Sequence, residues 1–196
     1  MESKYLSIIL IQWIDHLLAP SGTSFPSQVY ILKYKLFNVT TMVEQIKVGD
    51  MARDFSLKDQ NRKDFRLPDH RGSRVLLAFH PLAWTSVCAG HMKSLEDNKE
   101  VLDSVKTVAV GISVDSIPCK KAWAESLGFI NTSLLSDFWP HGEVAGLYGI
   151  FRDKEGVAAR SNILIDDSGK VVFVKVYETK QLPDMAEIVE VIRNLR

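Results

Sequence analysis

The chain has 196 residues, 46% apolar and 24% charged, with 24 basic and 24 acidic side chains and a formal net charge of zero. That suits one globular domain with an appendage. No basic excess points to nucleic acid, no acidic tract points to a solvating tail, and two cysteines without a Cys-x-x-Cys pair do not make a disulfide scaffold, a zinc site or a redox dithiol.

Residues 1–41 differ in character from the rest. The apolar run Leu6–Ile14 is broken by Asp15 and His16, too soon for a spanning helix and poorly placed for a secretory signal. This segment is expected to be an N-terminal extension, either an upstream start or a dispensable leader, with the fold on residues 42–196. Asp54–Leu57 and Asp64–Leu67 then read as a hairpin around Asn61-Arg62, followed by a turn at Leu67–Gly72. Ser73–His80 is near-continuously apolar and predicts a core strand. Ser86–Leu102 predicts a helix, with Met92, Leu95 and Leu102 on one face. Thr107–Val114 predicts a second core strand, and Ile117–Leu127 a helix closed by Gly128. Leu134–Ser136 reads as a short strand and Gly142–Tyr148 as a short helix. Ala159–Ile165 and Val171–Val176 form a hairpin around Asp166–Gly169. Met185, Ile188, Val189, Ile192 and Leu195 recur at helical spacing. Strands alternating with helices, then a hairpin and a terminal helix, predict a three-layer α/β sandwich with a mixed central sheet, the pattern of a thioredoxin-like fold.

Pro81-Leu82-Ala83-Trp84-Thr85-Ser86-Val87-Cys88 joins the first core strand to the first helix. Sites in α/β folds collect beyond the carboxyl ends of strands. Thr85 suits the N-cap, which puts Cys88 in the first turn. There, free N–H groups and the positive dipole end favour a thiolate over a thiol. On spacing alone two readings stand together: a nucleophile at a helix mouth, or a capped helix with one inert buried cysteine.

Phe79-x-Pro81-x-x-x-Thr85-x-x-Cys88 resembles the active-site signature of the peroxiredoxins, the thiol-dependent peroxidases. Four further blocks resemble that family in the expected order: Val48–Leu57, Ser113–Ser116, Leu135–Gly142 and Arg160–Asp166. Five blocks in register over residues 44–196 are a specific signal. The chain is more similar to the one-cysteine subgroup around alkyl hydroperoxide reductase E than to the long-tailed two-cysteine enzymes, since no cysteine follows the terminal helix. The resemblance implies a thioredoxin-like fold and a peroxide-reducing Cys88. It also implies an Arg160 that holds thiolate and peroxide, and a Pro81 that screens the nascent sulfenic acid. Thr85 offers a hydroxyl to the same site.

This chain departs from the family pattern at three places. Ala52-Arg53-Asp54 replaces Ala-Pro-Asp, which affects a turn. His80 stands where many members carry an aromatic residue. His91 stands where relatives often carry the glutamate that organises the active-site arginine. His91 reads as an ordinary helix-surface histidine, or as an imidazolium adding positive charge near the sulfur. On the first reading His91→Ala changes the rate by less than about tenfold. Phe79 and Trp84 read as core or pocket wall. Cys119, in the first turn of the second helix, reads either as a resolving thiol for a Cys88 sulfenic acid or as an interfacial or buried thiol.

The function so implied is reduction of hydrogen peroxide and organic hydroperoxides through a Cys88 sulfenic acid, in reducing cytoplasmic surroundings. The expected partners are a thioredoxin- or glutaredoxin-like reductant and a second copy in a homodimer or larger homo-oligomer, with neither nucleic acid nor membrane. No metal, flavin or nucleotide cofactor is implied, because no ligand-spaced cluster and no Gly-rich phosphate loop occurs. A protein-thiol oxidoreductase of the thioredoxin class and a non-enzymatic redox sensor or chaperone are the alternatives. The lone cysteine at the helix mouth weighs against the former, and the Pro-Thr-Cys set with Arg160 against the latter.

Overall fold

A computed structural model describes residues 43–195. The extension reading of residues 1–41, and the boundary at 42, lie outside the described residues. Val43–Arg196 clusters as one compact unit.

Its elements in chain order are β1 (Ser56–Lys58), β2 (Asp64–Arg66), a single 3-10 turn (Leu67–His70), β3 (Arg74–Phe79), α1 (Ser86–Asp97), α2 (Lys99–Ser104) and β4 (Thr107–Ser113). They continue with α3 (Ile117–Leu127), β5 (Ser133–Ser136), α4 (Glu143–Leu147), β6 (Phe151–Arg152), β7 (Val157–Ala158), β8 (Ser161–Ile165), β9 (Val171–Val176) and α5 (Met185–Asn194). Seven strands form one sheet in the order β2-β1-β5-β4-β3-β8-β9. The three central strands β5, β4 and β3 run parallel, while β8 and β9 pair antiparallel beyond β3.

Strand β3 is apolar from Val75 to Phe79 because both its faces are covered there. Val75, Leu77 and Phe79 join one core with Phe55, Phe65, Val144 and Tyr148. Leu76 and Ala78 join the other with Cys88, Met92 and Leu95 of α1, Trp123 of α3, and Met185, Ile188 and Ile192 of α5. The mixed three-layer sandwich expected from the sequence is the architecture found.

Two expectations change in detail. The helix predicted over Ser86–Leu102 breaks at Asn98, which serves both as the end of α1 and the entry to α2. Asn98 Nδ2 donates to the Ser94 carbonyl at 2.8 Å, the local backbone bonding that makes asparagine a poor helix-interior residue. The β6–β7 ribbon was not predicted. Its strands are two residues long, and its turn relies on Gly156 at φ 67. Gly128 closes α3 in the left-handed region at φ 70, as expected.

Candidate active site

Strand β3 and the loop after it deliver the site. The His80 N–H still pairs with the Ile112 carbonyl, at 2.9 Å, before the chain leaves the sheet at half-buried Pro81. Asp115, just past the end of β4, accepts the Ala83 N–H at 2.8 Å and ties this loop down. Trp84 sits at φ 63, an uncommon conformation for an aromatic residue, and the chain then enters α1 through Thr85. The first helical bond runs from Ala89 N–H to the Thr85 carbonyl at 2.9 Å. The N–H groups of Val87 and Cys88 precede it and belong to the unpaired first turn.

Cys88 occupies that first turn and is 1% exposed. Arg160, between β7 and β8, is 3% exposed and points at it. Arg160 Nη2 lies 3.5 Å from Cys88 Sγ and also donates to the Thr179 carbonyl at 3.1 Å. Arg160 Nε and Nη1 are buried without a hydrogen-bond partner among the described residues. Two free guanidinium donors beside a sulfur suit a small oxygen-bearing molecule, and a fixed cation there stabilises negative charge on sulfur and on a leaving oxygen.

The other residues singled out from the sequence take varied places. Thr85 is at the N-cap position and exposed, but its hydroxyl does not cap the helix. It donates to the Leu82 carbonyl at 3.2 Å. Phe79 is core, packed 5.9 Å from the Tyr148 ring, whereas Trp84 is 59% exposed and so is not core. Cys119 is half-buried, with Sγ 3.8 Å from Asp115 Oδ1, and both cysteines are free thiols.

His91 is neither of the two things expected of it. It is fully buried, because the α1 face built from Cys88, His91, Met92 and Leu95 turns inward as a whole. Its Nε2 faces Asn162 Oδ1 at 3.0 Å; an amide oxygen only accepts, so Nε2 carries the proton. Burial lowers its pKa to about 4, assisted by the nearby Arg160 charge and opposed by the Asn162 hydrogen bond. His91 is therefore neutral at physiological pH and adds no cation beside the sulfur.

The joint burial of His80 and Lys120 was not expected from the sequence. His80 is fully buried against Trp123, ring centroids 5.3 Å apart, with no hydrogen-bond partner for either ring nitrogen among the described residues. Burial holds its pKa well below the ordinary histidine range, and the Lys120 charge pushes the same way. Lys120 is likewise fully buried on α3. The signal was present: Lys120, Trp123 and Ala124 share one helix face, which put a lysine on an apolar stripe.

Among the described residues no three histidine, cysteine, aspartate or glutamate side chains converge as metal ligands, and no helix is long and apolar enough to cross a membrane.

Comparison with known proteins identifies the family and the fold. Residues 48–174 match the model of the AhpC/TSA family. Alkyl hydroperoxide reductase E of Mycobacterium tuberculosis is 39% identical over 140 residues, covering 71% of this chain and 91% of that protein. Peroxiredoxin-1 of Gekko japonicus is 33% identical over 132 residues, covering 62% of this chain and 65% of that protein. Among solved structures, the peroxidoxin BcpB of Mycobacterium tuberculosis superposes with a TM-score of 0.69 at 28% identity, covering 78% of this chain and 99% of that one. The reduced 2-Cys peroxiredoxin of Plasmodium vivax superposes with a TM-score of 0.69 at 26% identity, over 76% and 81%. The fold is thioredoxin-like, and the chain belongs to the AhpC/TSA family, the peroxiredoxins, which are thiol-dependent peroxidases acting on peroxide.

Proposed function

We propose that Cys88 is the peroxide-reducing nucleophile and that Arg160 is its principal partner, with Thr85 and Pro81 shaping the site mouth. The Cys88 thiolate attacks one oxygen of a hydroperoxide. An S–O bond forms, the O–O bond breaks, and the departing alkoxide or hydroxide takes up a proton to leave as alcohol or water. Cys88 is left as a sulfenic acid. An external thiol condenses with it, releasing water and forming a mixed disulfide, which a second thiol reduces. The Arg160 guanidinium holds negative charge first on sulfur and then on the leaving oxygen, through donors it need not reorganise. Pro81 lacks an N–H and stiffens the loop over the sulfur. The observation that carries this reading is the 3.5 Å approach of Arg160 Nη2 to Cys88 Sγ in a buried site with two guanidinium donors to spare.

The finer reading is a cytoplasmic homodimer or larger homo-oligomer, active on hydrogen peroxide and organic hydroperoxides and recycled by a thioredoxin- or glutaredoxin-like protein. Cys119 is read as an interfacial thiol, with its half-buried position as support, and residues 42–196 as the part that carries activity. Peroxide consumption with dithiothreitol tests the core of it. Wild-type turnover is expected, with at least about a thousandfold loss in Cys88→Ser, since the chemistry has no other route. Undiminished turnover in Cys88→Ser overturns the assignment. A non-reducing gel after peroxide is expected to show no bridge that requires both cysteines; such a bridge would make Cys119 the resolver.

A further inference from the structure

The mechanism above leaves unused a lysine that is fully buried. Burying an ammonium is costly unless it is paired and hydrogen-bonded. Lys120 Nζ donates to Ser113 Oγ at 2.7 Å, and Ser113 Oγ donates to Asp115 Oδ2 at 2.6 Å. The same Oδ2 accepts the Ala83 N–H at 2.8 Å. One continuous chain of hydrogen bonds thus runs from α3, through the end of β4, to the loop that carries Pro81 and Thr85 and leads into Cys88 of α1. The half-buried Asp115 carboxylate holds a backbone N–H of this loop, and the fully buried Lys120 is the cation at the other end of the network.

We propose that Lys120 is a positioning residue for Cys88: its buried ammonium, acting through Ser113 and Asp115, fixes the loop that presents the thiol to peroxide. The inference rests on the assignment of Cys88 as nucleophile. It departs from a packing role because the anchor depends on charge, and the charge can be titrated away. The groups facing Lys120 are His80 just after β3, Asp115 from the β4–α3 junction, Cys119 on its own helix, Asp137 after β5 and Cys88 on α1. Burial lowers the Lys120 pKa to about 8, against the attraction of Asp115, Cys119, Asp137 and Cys88. His80 is neutral in this range and does not compete for the proton. Below about pH 8 the network is therefore closed by a charged ammonium; above it the network loses its cation and the loop loosens.

The test is single-turnover oxidation of the reduced full-length protein by hydrogen peroxide between pH 6 and pH 10, with remaining Cys88 thiol trapped by alkylation and counted by mass spectrometry. Wild type is expected to lose rate along a limb centred near pH 8. Lys120→Met is expected to be at least about tenfold slower at pH 7 and to lack the limb. Lys120→Arg keeps its charge at every pH tested, so it is expected to retain the pH 7 rate within about threefold and also to lack the limb. Asp115→Asn removes the partner and is expected to move the limb to lower pH; it decides the matter where neither Lys120 variant folds. A limb unmoved in Lys120→Met or in Asp115→Asn overturns the inference, as does a Lys120→Met rate at pH 7 equal to wild type. Oxidation that proceeds undiminished in Cys88→Ser removes the nucleophile assignment and this inference with it. An unmoved limb with Cys88-dependent oxidation removes this inference alone.

Discussion

Arg160 has no carboxylate partner among the described residues, and His91 stands where the family resemblance puts the glutamate that organises such an arginine. The Thr179 carbonyl, from the segment between β9 and α5, takes that task, and Thr179 Oγ1 is itself held by Arg152 Nη1 at 3.1 Å. A main-chain acceptor carries no residue-type signature, so this partner was not legible, whereas Arg160 itself was found from its block. With no carboxylate competing, the guanidinium charge is directed at the sulfur. Arg160→Met is expected to slow peroxide oxidation of Cys88 by about 10²–10³-fold, measured in single turnover. Arg160→Lys keeps a charge but loses the planar fork and is expected to recover only part of that. His91 makes a different contribution. Its folded pKa of about 4 lies below the ordinary 6.5, so the unfolded chain takes up a proton first as pH falls. The stability His91 contributes is complete above pH 6.5 and is lost as pH drops toward 4. At 1.36 kcal/mol per pH unit that interval is worth about 3 kcal/mol. Denaturant unfolding of wild type and His91→Gln at pH 7.5 and pH 5 checks it: the variant is expected to lose clearly less stability between the two. Equal losses would mean that this imidazole does not govern the acid limb.

Helix α1 is the element on which the site depends, and two of its contacts set where it lies. On the sheet side Gly111 of β4 has no side chain, and a Cβ there would meet Met92 Sδ and Leu134 Cδ2. At the far end Glu96 stands in the last turn, where a helix dipole disfavours an anion. It remains there because its carboxylate accepts the N–H groups of Ile130, Asn131 and Thr132 at 2.9, 3.0 and 2.7 Å, together with the Thr132 hydroxyl. Partial burial pushes its pKa up, but the Thr132 hydroxyl and these three N–H groups together pull it down to about 2. The inward face was legible from Met92 and Leu95. The anchor was not, because an acidic residue near a helix end looks like an ordinary solvated charge, and its partners lie 34 to 36 positions away. The break at Asn98 was not legible, because Leu102 continues the same apolar face across it. Gly111→Ala is expected to destabilise the fold by about 1–3 kcal/mol through overpacking. The same substitution is expected to slow Cys88 oxidation, since α1 must shift to make room; an unchanged unfolding midpoint would show that Met92 yields freely.

At the scale of the whole molecule, the sheet, both hydrophobic cores, the cysteine and its arginine close within residues 43–195. The family match spans residues 48–174 and the compact unit begins at Val43. The mixed sheet and its covering helices were legible because the core strands are largely apolar and each long helix carries one apolar face, whereas the strand order was not. The β6–β7 ribbon was not, since two-residue strands carry no periodicity. Long-range pairing of β8 with β3 brings Arg160 to Cys88, 72 positions apart, and no local pattern encodes that contact. The family blocks supplied it instead. If the fold is self-sufficient, removal of residues 1–41 has a definite consequence. A chain starting at Met42 is expected to keep its rate of peroxide reduction within about twofold. Its unfolding midpoint is expected to stay within about 4 °C of the full chain, the shift that roughly 1 kcal/mol produces at this size. The two quantities separate the ways in which that expectation can fail. A lower midpoint with the rate intact would give the first 41 residues a part in stability, whereas a lower rate with the midpoint intact would give them a part in the chemistry.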